Sequence, residues 1–375
     1  MLKVCDIQQF IKRVEVLDEI ICYGAGQEMI AFAKLFADTA VMDKCSYIID
    51  RDVEKQGKII KYDKKKFVIV SPDKLKFNSN KRCEIVITCV KYNEILNDFE
   101  NSDIFSKFDY YCLQYFKMFE YGKKALTKKL PVNIKLYKEE IIPKVIHYCW
   151  FGNTPIPDNY KKWMETWKHF CPDYEIIEWN ESNYDINKNK YMKQAYDNRK
   201  WGFVPDYARL DIIYQYGGIY LDTDIELIAN LDDLLYQTGF ICFELETRIN
   251  CGMGFGAIKG LDIIREMRDD YDKRSFLKQN GELDLTPSPD IQTSFFIKKG
   301  IKLNGEYQIV DGLTVFPEKL MGGKNWVTRK IDLLPYTKAI HHFDGSWLDT
   351  KLKTEIYRQE QGIRLAEKDL IMLNL

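Results

Sequence analysis

At its centre the chain reads Gly217-Gly218-Ile219-Tyr220-Leu221-Asp222-Thr223-Asp224. The apolar residues after the two glycines are typical of a short buried strand, and two carboxylates follow it. Side chains two positions apart on an extended backbone point to the same side, so we expect Asp222 and Asp224 to act on one ligand. Carboxylate oxygens suit Mg²⁺ or Mn²⁺, which proteins usually hold with one or two carboxylates and phosphate oxygens. The pattern predicts a strand end that binds a metal–diphosphate, although Asp-x-Asp also occurs in acidic turns without function.

A helix is predicted immediately before this strand. Apolar residues recur at helical spacing from Pro205 to Tyr216, with the proline in the first turn and Gly217 where a C-cap belongs. Asp206 and Arg209 are three positions apart and therefore share one face of the helix. They form either an ordinary ion pair on a solvated face or a charged pair that reaches the ligand beside the two carboxylates.

Length and composition limit the class of protein. A chain of 375 residues is long for one core, so two domains are expected. A hydrophobic content of 46% suits folded domains, and a net charge of −1 argues against a nucleic-acid partner. No run approaches the length of a transmembrane helix, the first residues do not resemble a secretory signal, and the ten cysteines include no Cys-x-x-Cys pair. We therefore expect a cytoplasmic protein with reduced thiols.

The first part of the chain predicts a separate α/β domain over residues 1–120. A strand at Glu19–Tyr23 leads into Gly24-Ala25-Gly26 and an apolar helix, and a second strand ends at Asp50. This order is typical of a dinucleotide-binding half, but Met29 stands where a third glycine belongs. We expect a Rossmann-like domain that serves docking or assembly, without bound NAD.

Residues 121–140 are predicted to form a lysine-rich linker around Pro131. A solvated linker is the simpler interpretation, and the alternative is a peripheral membrane patch that attracts anionic lipid headgroups. All seven tryptophans and all four histidines lie at or after His147. Because aromatic faces pack against sugars and bases and histidine binds metals, we expect the chemistry in the domain at residues 141–375.

Four separated blocks of this second domain are informative together. They are Ile142-Pro143-Lys144-Val145-Ile146-His147-Tyr148-Cys149-Trp150-Phe151-Gly152, Trp179-Asn180-Glu181, the run from Asp206 to Asp224, and His341-His342-Phe343-Asp344-Gly345-Ser346-Trp347. Their combination resembles the glycosyltransferases with a DXD sugar-binding motif, which include bacterial capsular polysaccharide synthesis proteins, fungal initiating mannosyltransferases and, more distantly, glucosylating toxins. The resemblance covers residues 142 to 348 and implies a GT-A-type fold, a mixed sheet flanked by helices, to which we add a C-terminal helix.

The resemblance implies roles for the charged residues. Asp206 and Arg209 would hold the transferred sugar, Asp222 would bind ribose or sugar hydroxyls, and Asp224 would contact the metal. Arg209 also suits developing negative charge, because its guanidinium donates several hydrogen bonds and stays protonated. These four residues are the predicted catalytic group.

The nucleotide part of the donor is assigned to residues outside that group. In the related toxins, the tryptophan at the position of Trp150 stacks on uracil, and Asn180 would lie near the nucleoside. The alternatives are a core tryptophan beneath a Gly-Pro loop and an ordinary turn asparagine. Ser346 and Trp347 are assigned to the nucleotide sugar through the last block.

The last block also resembles the element that supplies a second metal contact. A neutral imidazole suits Mn²⁺ better than Mg²⁺. His341 and His342 point in opposite directions on an extended backbone, so one of them is expected to face the metal, and we prefer His342. Asp344 and Ser346 are alternative metal ligands to the histidines, and Asp222 is an alternative metal ligand to Asp224.

Two segments between the blocks have no clear assignment. Residues 244–256 are expected to form the sugar and acceptor side of the site, without individual roles. Many bacterial relatives carry Gly-Pro where this chain has Ser288-Pro289. This departure leaves the alignment of that block open.

The sequence therefore predicts a metal-dependent, retaining hexosyltransferase. Its donor would be a nucleotide-diphosphate sugar, UDP-linked in preference to GDP-linked, and its acceptor a glycan or lipid-linked glycan in surface or capsular polysaccharide synthesis. The expected location is the cytoplasm, with peripheral contact at the inner face of the membrane as an option. One alternative is a nicotinamide-dependent sugar-modifying oxidoreductase that uses Gly24-Ala25-Gly26, and the other is a non-catalytic glycan-assembly scaffold. The first does not explain the Asp-x-Asp motif, and the second needs no anion or metal site.

Overall fold

The computed structural model describes residues 1–62, 65–326, 328–345 and 350–372, and the chain divides into two compact units. The first unit comprises residues 1–121 and the C-terminal helix Thr350–Met372, and the second comprises residues 122–345. The sequence-based division placed the C-terminal helix in the second domain, and the structure places it in the first. The physical reason is its buried face, because Ile363 and Ala366 pack into the apolar clusters of the first unit.

The first unit is a mostly parallel sheet between two layers of helices. Within the described residues the strand order is β3-β4-β2-β1-β5-β6, and only β3 and β4 pair in antiparallel orientation. Its elements are α1 (Ile7–Glu15), β1 (Glu19–Tyr23), α2 (Gln27–Leu35), α3 (Ala40–Lys44), β2 (Cys45–Ile49), β3 (Ile59–Tyr62), β4 (Lys65–Val70), β5 (Cys83–Ile87), α4 (Tyr92–Glu100), β6 (Asp109–Cys112) and α5 (Leu113–Ala125), whose last residues enter the second unit.

Alternation along β1 explains the two helical layers. Ile20 and Cys22 belong to the apolar cluster that contains residues of α1 to α3, whereas Ile21 and Tyr23 belong to the cluster that contains residues of α4. Both faces of the sheet are therefore covered, as a central parallel strand requires.

The second unit is built on a mixed sheet. Within the described residues its strand order is β14-β15-β11-β13-β9-β7-β8, with β12 paired to β11 and a separate antiparallel pair of β10 and β16. Its elements are β7 (Val145–Cys149), α6 (Asp158–Phe170), β8 (Glu175–Trp179), α7 (Lys190–Asp197), α8 (Pro205–Tyr216), β9 (Gly218–Tyr220), β10 (Ile225–Leu227), β11 (Gly239–Glu244), β12 (Arg248–Ile249), β13 (Phe255–Ala257), α9 (Asp262–Asp270), α10 (Ser288–Lys298), β14 (Gln308–Val310), β15 (Leu313–Phe316) and β16 (Ala339–His341).

The helix and strand at the centre of the chain form as predicted, but the carboxylates leave the strand. Helix α8 ends at Gly217, whose φ of 72° suits glycine and whose N–H donates to Ile213 O at 2.9 Å. Strand β9 already ends at Tyr220, and Ile225 N donates to Asp222 O at 3.1 Å, which closes a turn. The two carboxylates therefore lie within a turn and do not share an extended backbone.

The predicted linker lies against the second unit. Leu136 N and Tyr137 N donate to Tyr236 O at 3.0 and 2.9 Å, and Lys128 pairs with Glu246 at 3.1 Å. Such pairing reduces the positive charge available for anionic lipid headgroups. Among the helices of the described residues, none combines the length and apolar character needed to cross a membrane.

Candidate active site

The glycine turn that leads into β9 is held by a buried histidine. Trp179 Nε1 donates to His147 Nδ1 at 3.1 Å, and His147 Nε2 lies 3.0 Å from Gly217 O. Because an indole nitrogen only donates, Nδ1 accepts and the ring proton is on Nε2, which donates to the carbonyl. Burial lowers the pKa of His147 to about 4, so the ring is neutral at pH 7. A Cβ on Gly218 would lie 3.1 Å from Nε2 and 2.8 Å from Val145 O, so the turn requires glycine there.

Arg209 is buried between two carboxylates. Its Nη2 lies 2.7 Å from Asp206 Oδ1, and its Nη1 lies 3.5 Å from Asp222 Oδ2. Its Nε donates to Pro205 O at 3.1 Å, and its guanidinium lies 5.4 Å from the centre of the Tyr220 ring. Asp206 and Arg209 are only 2% and 4% exposed, so this is not the solvated surface pair of the simpler interpretation.

The electrostatic environment keeps Arg209 protonated, so this group of three residues contains one permanent cation. Burial raises the pKa of Asp206 to about 7, although Arg209 acts in the opposite direction, and burial also raises the pKa of Asp222. Burial alone would lower the pKa of Arg209, but the two carboxylates outweigh it and hold that pKa well above its usual range. The end of β9 thus presents a fixed guanidinium and carboxylate acceptors, which suits polyhydroxyl or anionic ligands.

Asp224 faces a different cation. Its Oδ1 lies 3.3 Å from His341 Nε2, and its Oδ2 accepts a hydrogen bond from Asp344 N at 3.1 Å. Burial would lower the pKa of His341, but Asp224 raises it above its ordinary value; in turn His341 outweighs burial and lowers the pKa of Asp224. His341 is 7% exposed, and its Nδ1 has no hydrogen-bond partner among the described residues.

The structure favours His341 over His342 as the histidine beside this carboxylate. His342 Nε2 lies 2.7 Å from Glu226 Oε2, and its ring stacks on Trp163 with centres 4.0 Å apart and planes 11° apart. The register of β16 on β10 places His341 opposite Ile225, immediately after Asp224. The strand pairing thus places His341, and not the sequence-preferred His342, beside Asp224, while the choice of metal ligand stays a prediction.

The donor atoms of Asp224 and His341 fit a divalent ion whose remaining ligands come from a bound phosphate. Among the described residues, no three His, Cys, Asp or Glu side chains converge on one point. Asp224 and His341 offer one carboxylate and one imidazole, a set that suits Mn²⁺, and phosphate oxygens would complete the shell. The rival ligand Asp344 accepts a hydrogen bond from the Tyr160 hydroxyl. Ser346 and Trp347 lie outside the described residues, so their predicted roles are not addressed.

Trp150 and Asn180 lie at the same edge of the sheet as Asp222. They follow β7 and β8, and β8, β7 and β9 are parallel neighbours whose carboxyl ends meet. Trp150 is half-buried, and its Nε1 donates to Thr154 O at 2.6 Å. The Asn180 side chain is engaged locally, because its Nδ2 donates to Glu178 at 2.7 Å and its Oδ1 accepts from Ser182 N at 2.9 Å. For Asn180 the structure supports the turn interpretation.

Sequence reasoning gave no role to a glycine that completes the site. A Cβ on Gly252 would lie 2.4 Å from Asp222 Oδ2 and 3.3 Å from Arg209 Nη1. Its N–H donates to Asn250 Oδ1 at 2.7 Å, and Asn250 Nδ2 donates to Glu244 at 3.0 Å. The Asn-x-Gly sequence was the available signal, and only the tertiary structure shows that it faces the carboxylates.

Helix α10 begins in the segment whose match to the family was left open, and its side chains lie next to the site. Against the larger effect of burial, the Ser288 side chain acts to lower the pKa of Asp206, and Cys251 N donates to Gln292 Oε1 at 2.9 Å. Ser288, at the start of α10, thus belongs to the surroundings of the buried Asp206 carboxylate.

Comparison with known proteins connects this geometry to a family. Residues 157–241 match the family model described as the glycosyltransferase sugar-binding region containing the DXD motif. Inositol phosphoceramide mannosyltransferase 2 of Schizosaccharomyces pombe is 33% identical over 122 residues, which cover 29% of this chain and 33% of that protein. Mannosyl phosphorylinositol ceramide synthase SUR1 of Saccharomyces cerevisiae is 32% identical over 108 residues, which cover 28% of each protein.

The chain thus spans about a third of the length of these fungal relatives. A solved structure of the PaToxG glycosyltransferase aligns with a TM-score of 0.33 and 18% identity, over 48% of this chain and 73% of that chain. Over residues 157–241 this chain is similar to the sugar-binding region of the DXD-containing glycosyltransferases, which confirms the resemblance seen in its sequence motifs.

Proposed function

We propose that the second unit is a metal-dependent, retaining glycosyltransferase of the GT-A type that transfers a hexose from a nucleotide-diphosphate sugar. The observation that carries this proposal is the burial of Arg209 between Asp206 and Asp222, beside the pair of Asp224 and His341. Burying charged groups is costly, so a guanidinium buried between two carboxylates is not expected in a protein that only serves as a scaffold.

The side chains divide the work of binding and charge stabilisation. Asp206 and Asp222 accept hydrogen bonds from hydroxyls of the sugar or ribose, and Arg209 donates to oxygen atoms that gain negative charge as the diphosphate leaves. Asp224 and His341 would hold a divalent ion, Mn²⁺ in preference to Mg²⁺, which neutralises the diphosphate. We assign no side chain as a covalent nucleophile, and we propose attack on the face from which the phosphate leaves.

The names of the fungal relatives suggest which sugar and which acceptor to test first. One is named an inositol phosphoceramide mannosyltransferase and the other a mannosyl phosphorylinositol ceramide synthase. We therefore propose mannose as the first sugar to test and a lipid-linked polyol or glycan as the acceptor. Trp150 is the reason to favour uracil as the base, whereas a mannose donor would favour guanine, so both nucleotides are tested.

For the first unit we propose a Rossmann-like domain that serves docking or assembly. Asp50, at the end of β2, is where a dinucleotide-binding half holds ribose. Here its Oδ2 accepts a hydrogen bond from Ala25 N at 2.8 Å, and its Oδ1 accepts one from Asp52 N at 2.9 Å. Because its own loops satisfy this carboxylate, the geometry supports docking rather than an oxidoreductase function.

Calorimetric titration of UDP and GDP, each with and without Mn²⁺, tests the function of the second unit. We expect one nucleotide to bind in a manganese-dependent manner and Asp224→Asn to weaken that binding at least tenfold. Asp262→Asn is the matched control, because Asp262 is an exposed carboxylate paired with Arg265 at 3.0 Å on α9. If neither nucleotide binds the wild type under any of these conditions, the transferase proposal is overturned.

A further inference from the structure

Helix α6 carries two aromatic side chains that contact the segment after β16. Tyr160 is 3% exposed, and its hydroxyl donates to the Asp344 carboxylate. Trp163, one turn further along, stacks on His342 at 4.0 Å. Residues three apart lie on one face of a helix, so both contacts come from the same side of α6.

This segment in turn bonds to Asp224 through its backbone. Asp344 N donates to Asp224 Oδ2 at 3.1 Å, and His342 N donates to Asp224 O at 3.0 Å. The other carboxylate oxygen, Oδ1, is the one that faces His341 at 3.3 Å. The rotation of the Asp224 carboxylate is thus fixed by a backbone N–H whose position depends on the segment around Asp344.

Tyr160 also reaches the other side of the site. Its ring meets Trp150 edge-on, with centres 5.9 Å apart and planes 89° apart, and it stacks with Trp163 at 5.4 Å. Aromatic pairs in such edge and stacked arrangements hold a defined mutual geometry. One buried tyrosine therefore contacts both the tryptophan at the end of β7 and the residue that orients Asp224.

We propose that Tyr160 is a positioning residue that acts through Asp344 to set the Asp224 carboxylate for divalent-ion binding. This inference rests on the proposed function, because it assigns a supporting residue to the same metal–nucleotide site. A hydroxyl that donates to a carboxylate forms a charge-assisted bond, stronger than one between neutral groups. That bond anchors the otherwise exposed Asp344 carboxylate. It thereby also holds the Asp344 N–H in place, which donates to the Asp224 carboxylate.

Tyr160→Phe tests the hydroxyl while keeping the ring and its aromatic contacts. The readout is the Mn²⁺ concentration at half-saturation of nucleotide binding, measured with the full chain and the nucleotide that binds the wild type. We expect Tyr160→Phe to raise this midpoint about tenfold, which corresponds to about 1.4 kcal/mol. Tyr174→Phe is the matched control, because Tyr174 is 7% exposed and donates to Asp232 at 2.9 Å in the same unit.

A double-mutant cycle identifies the route of the effect. If Tyr160 acts through Asp344, Tyr160→Phe causes no further change of the midpoint in an Asp344→Ala background, which has no side-chain acceptor for the Tyr160 hydroxyl. The inference is overturned if the wild type shows manganese-dependent binding and Tyr160→Phe leaves the midpoint where Tyr174→Phe leaves it. It is also overturned if the effects of Tyr160→Phe and Asp344→Ala are additive. Absence of manganese-dependent binding in the wild type would instead overturn the proposed function, and this inference with it.

Discussion

The two units both place a glycine turn and a carboxylate at a strand end, but different groups satisfy the carboxylate. In the first unit, Asp50 accepts hydrogen bonds from the backbone of Ala25 and Asp52, and Lys55 lies 3.3 Å away at the surface. In the second, Asp222 faces the buried guanidinium of Arg209, and no backbone N–H to its carboxylate is seen in the described part of the chain.

The turns themselves are also held differently. The Thr88 hydroxyl donates to Gly24 O at 2.7 Å in the first unit. In the second unit the corresponding donor to Gly217 O is the imidazole of His147 at 3.0 Å. A hydroxyl does not titrate under these conditions, whereas the His147 imidazole, whose pKa burial lowers to about 4, becomes protonated in acid.

This difference shows why similar sequence patterns deserve different functional interpretations. A carboxylate whose acceptor sites are filled by its own loops stabilises the fold and has little capacity left for a ligand. A carboxylate held by a buried cation retains free acceptor sites and costs more to bury, which is typical of functional sites. The predictions that follow test whether this distinction holds.

The largest effect is expected from removing the buried cation. Arg209→Met leaves Asp206 buried without its partner, and such a loss typically costs about 3–5 kcal/mol of unfolding free energy. Nucleotide binding should be lost as well, because the diphosphate and sugar lose their main donor. Urea unfolding and calorimetry with the wild-type nucleotide measure the two effects.

Arg13→Met in the first unit is the matched control. Arg13 pairs with Glu84, which is 3% exposed, at 2.5 Å, so this substitution also leaves a buried carboxylate unpaired. It should lower stability while leaving nucleotide binding intact. Equal loss of nucleotide binding in both variants would contradict the contrast between the units.

Local sequence signals predicted the framework of this site, and long-range pairing decided its details. The proline and glycine at the ends of α8 fixed that helix, and the spacing of Asp206 and Arg209 fixed their shared face. Which histidine faces Asp224 depends on the register of β16 on β10, and these strands are more than a hundred residues apart. No local pattern encodes such a register.

Packing between distant segments explains the other differences. The C-terminal helix was assigned to the wrong unit because its apolar positions fit any core, and only its contacts show which one it joins. Gly252 received no individual role because that role depends on the approach of Asp222 from a separate segment of the chain.

A smaller, pH-dependent effect is expected at His147. Its pKa is about 4 in the folded chain against an ordinary 6.5, so the unfolded state binds more protons between these values. The neutral, buried His147 therefore contributes fully to the free energy of unfolding above pH 6.5. This contribution is lost as the pH falls towards 4, by about 3 kcal/mol in total. His147→Gln should flatten this part of the stability profile, measured by urea unfolding at a series of pH values.

His169→Gln provides the comparison for this profile. His169 is exposed on the same unit, so its substitution should leave the wild-type slope unchanged. A slope in His147→Gln as steep as that of the wild type would show that carboxylates, not the histidine under the glycine turn, set the acid sensitivity.

The smallest change in stability, with a selective loss of function, is expected at a single glycine. In Gly252→Ala the new methyl would meet Asp222 Oδ2 at 2.4 Å, which forces the carboxylate away from Arg209. Overpacking of this kind typically costs about 1–3 kcal/mol. Gly26→Ala in the glycine turn of the first unit is the control, because a Cβ there meets nothing within 4 Å. Nucleotide affinity should fall at least tenfold in Gly252→Ala and stay at the wild-type value in Gly26→Ala. A fall in Gly26→Ala would place the nucleotide in the first unit and reverse the functional assignment of the two strand ends.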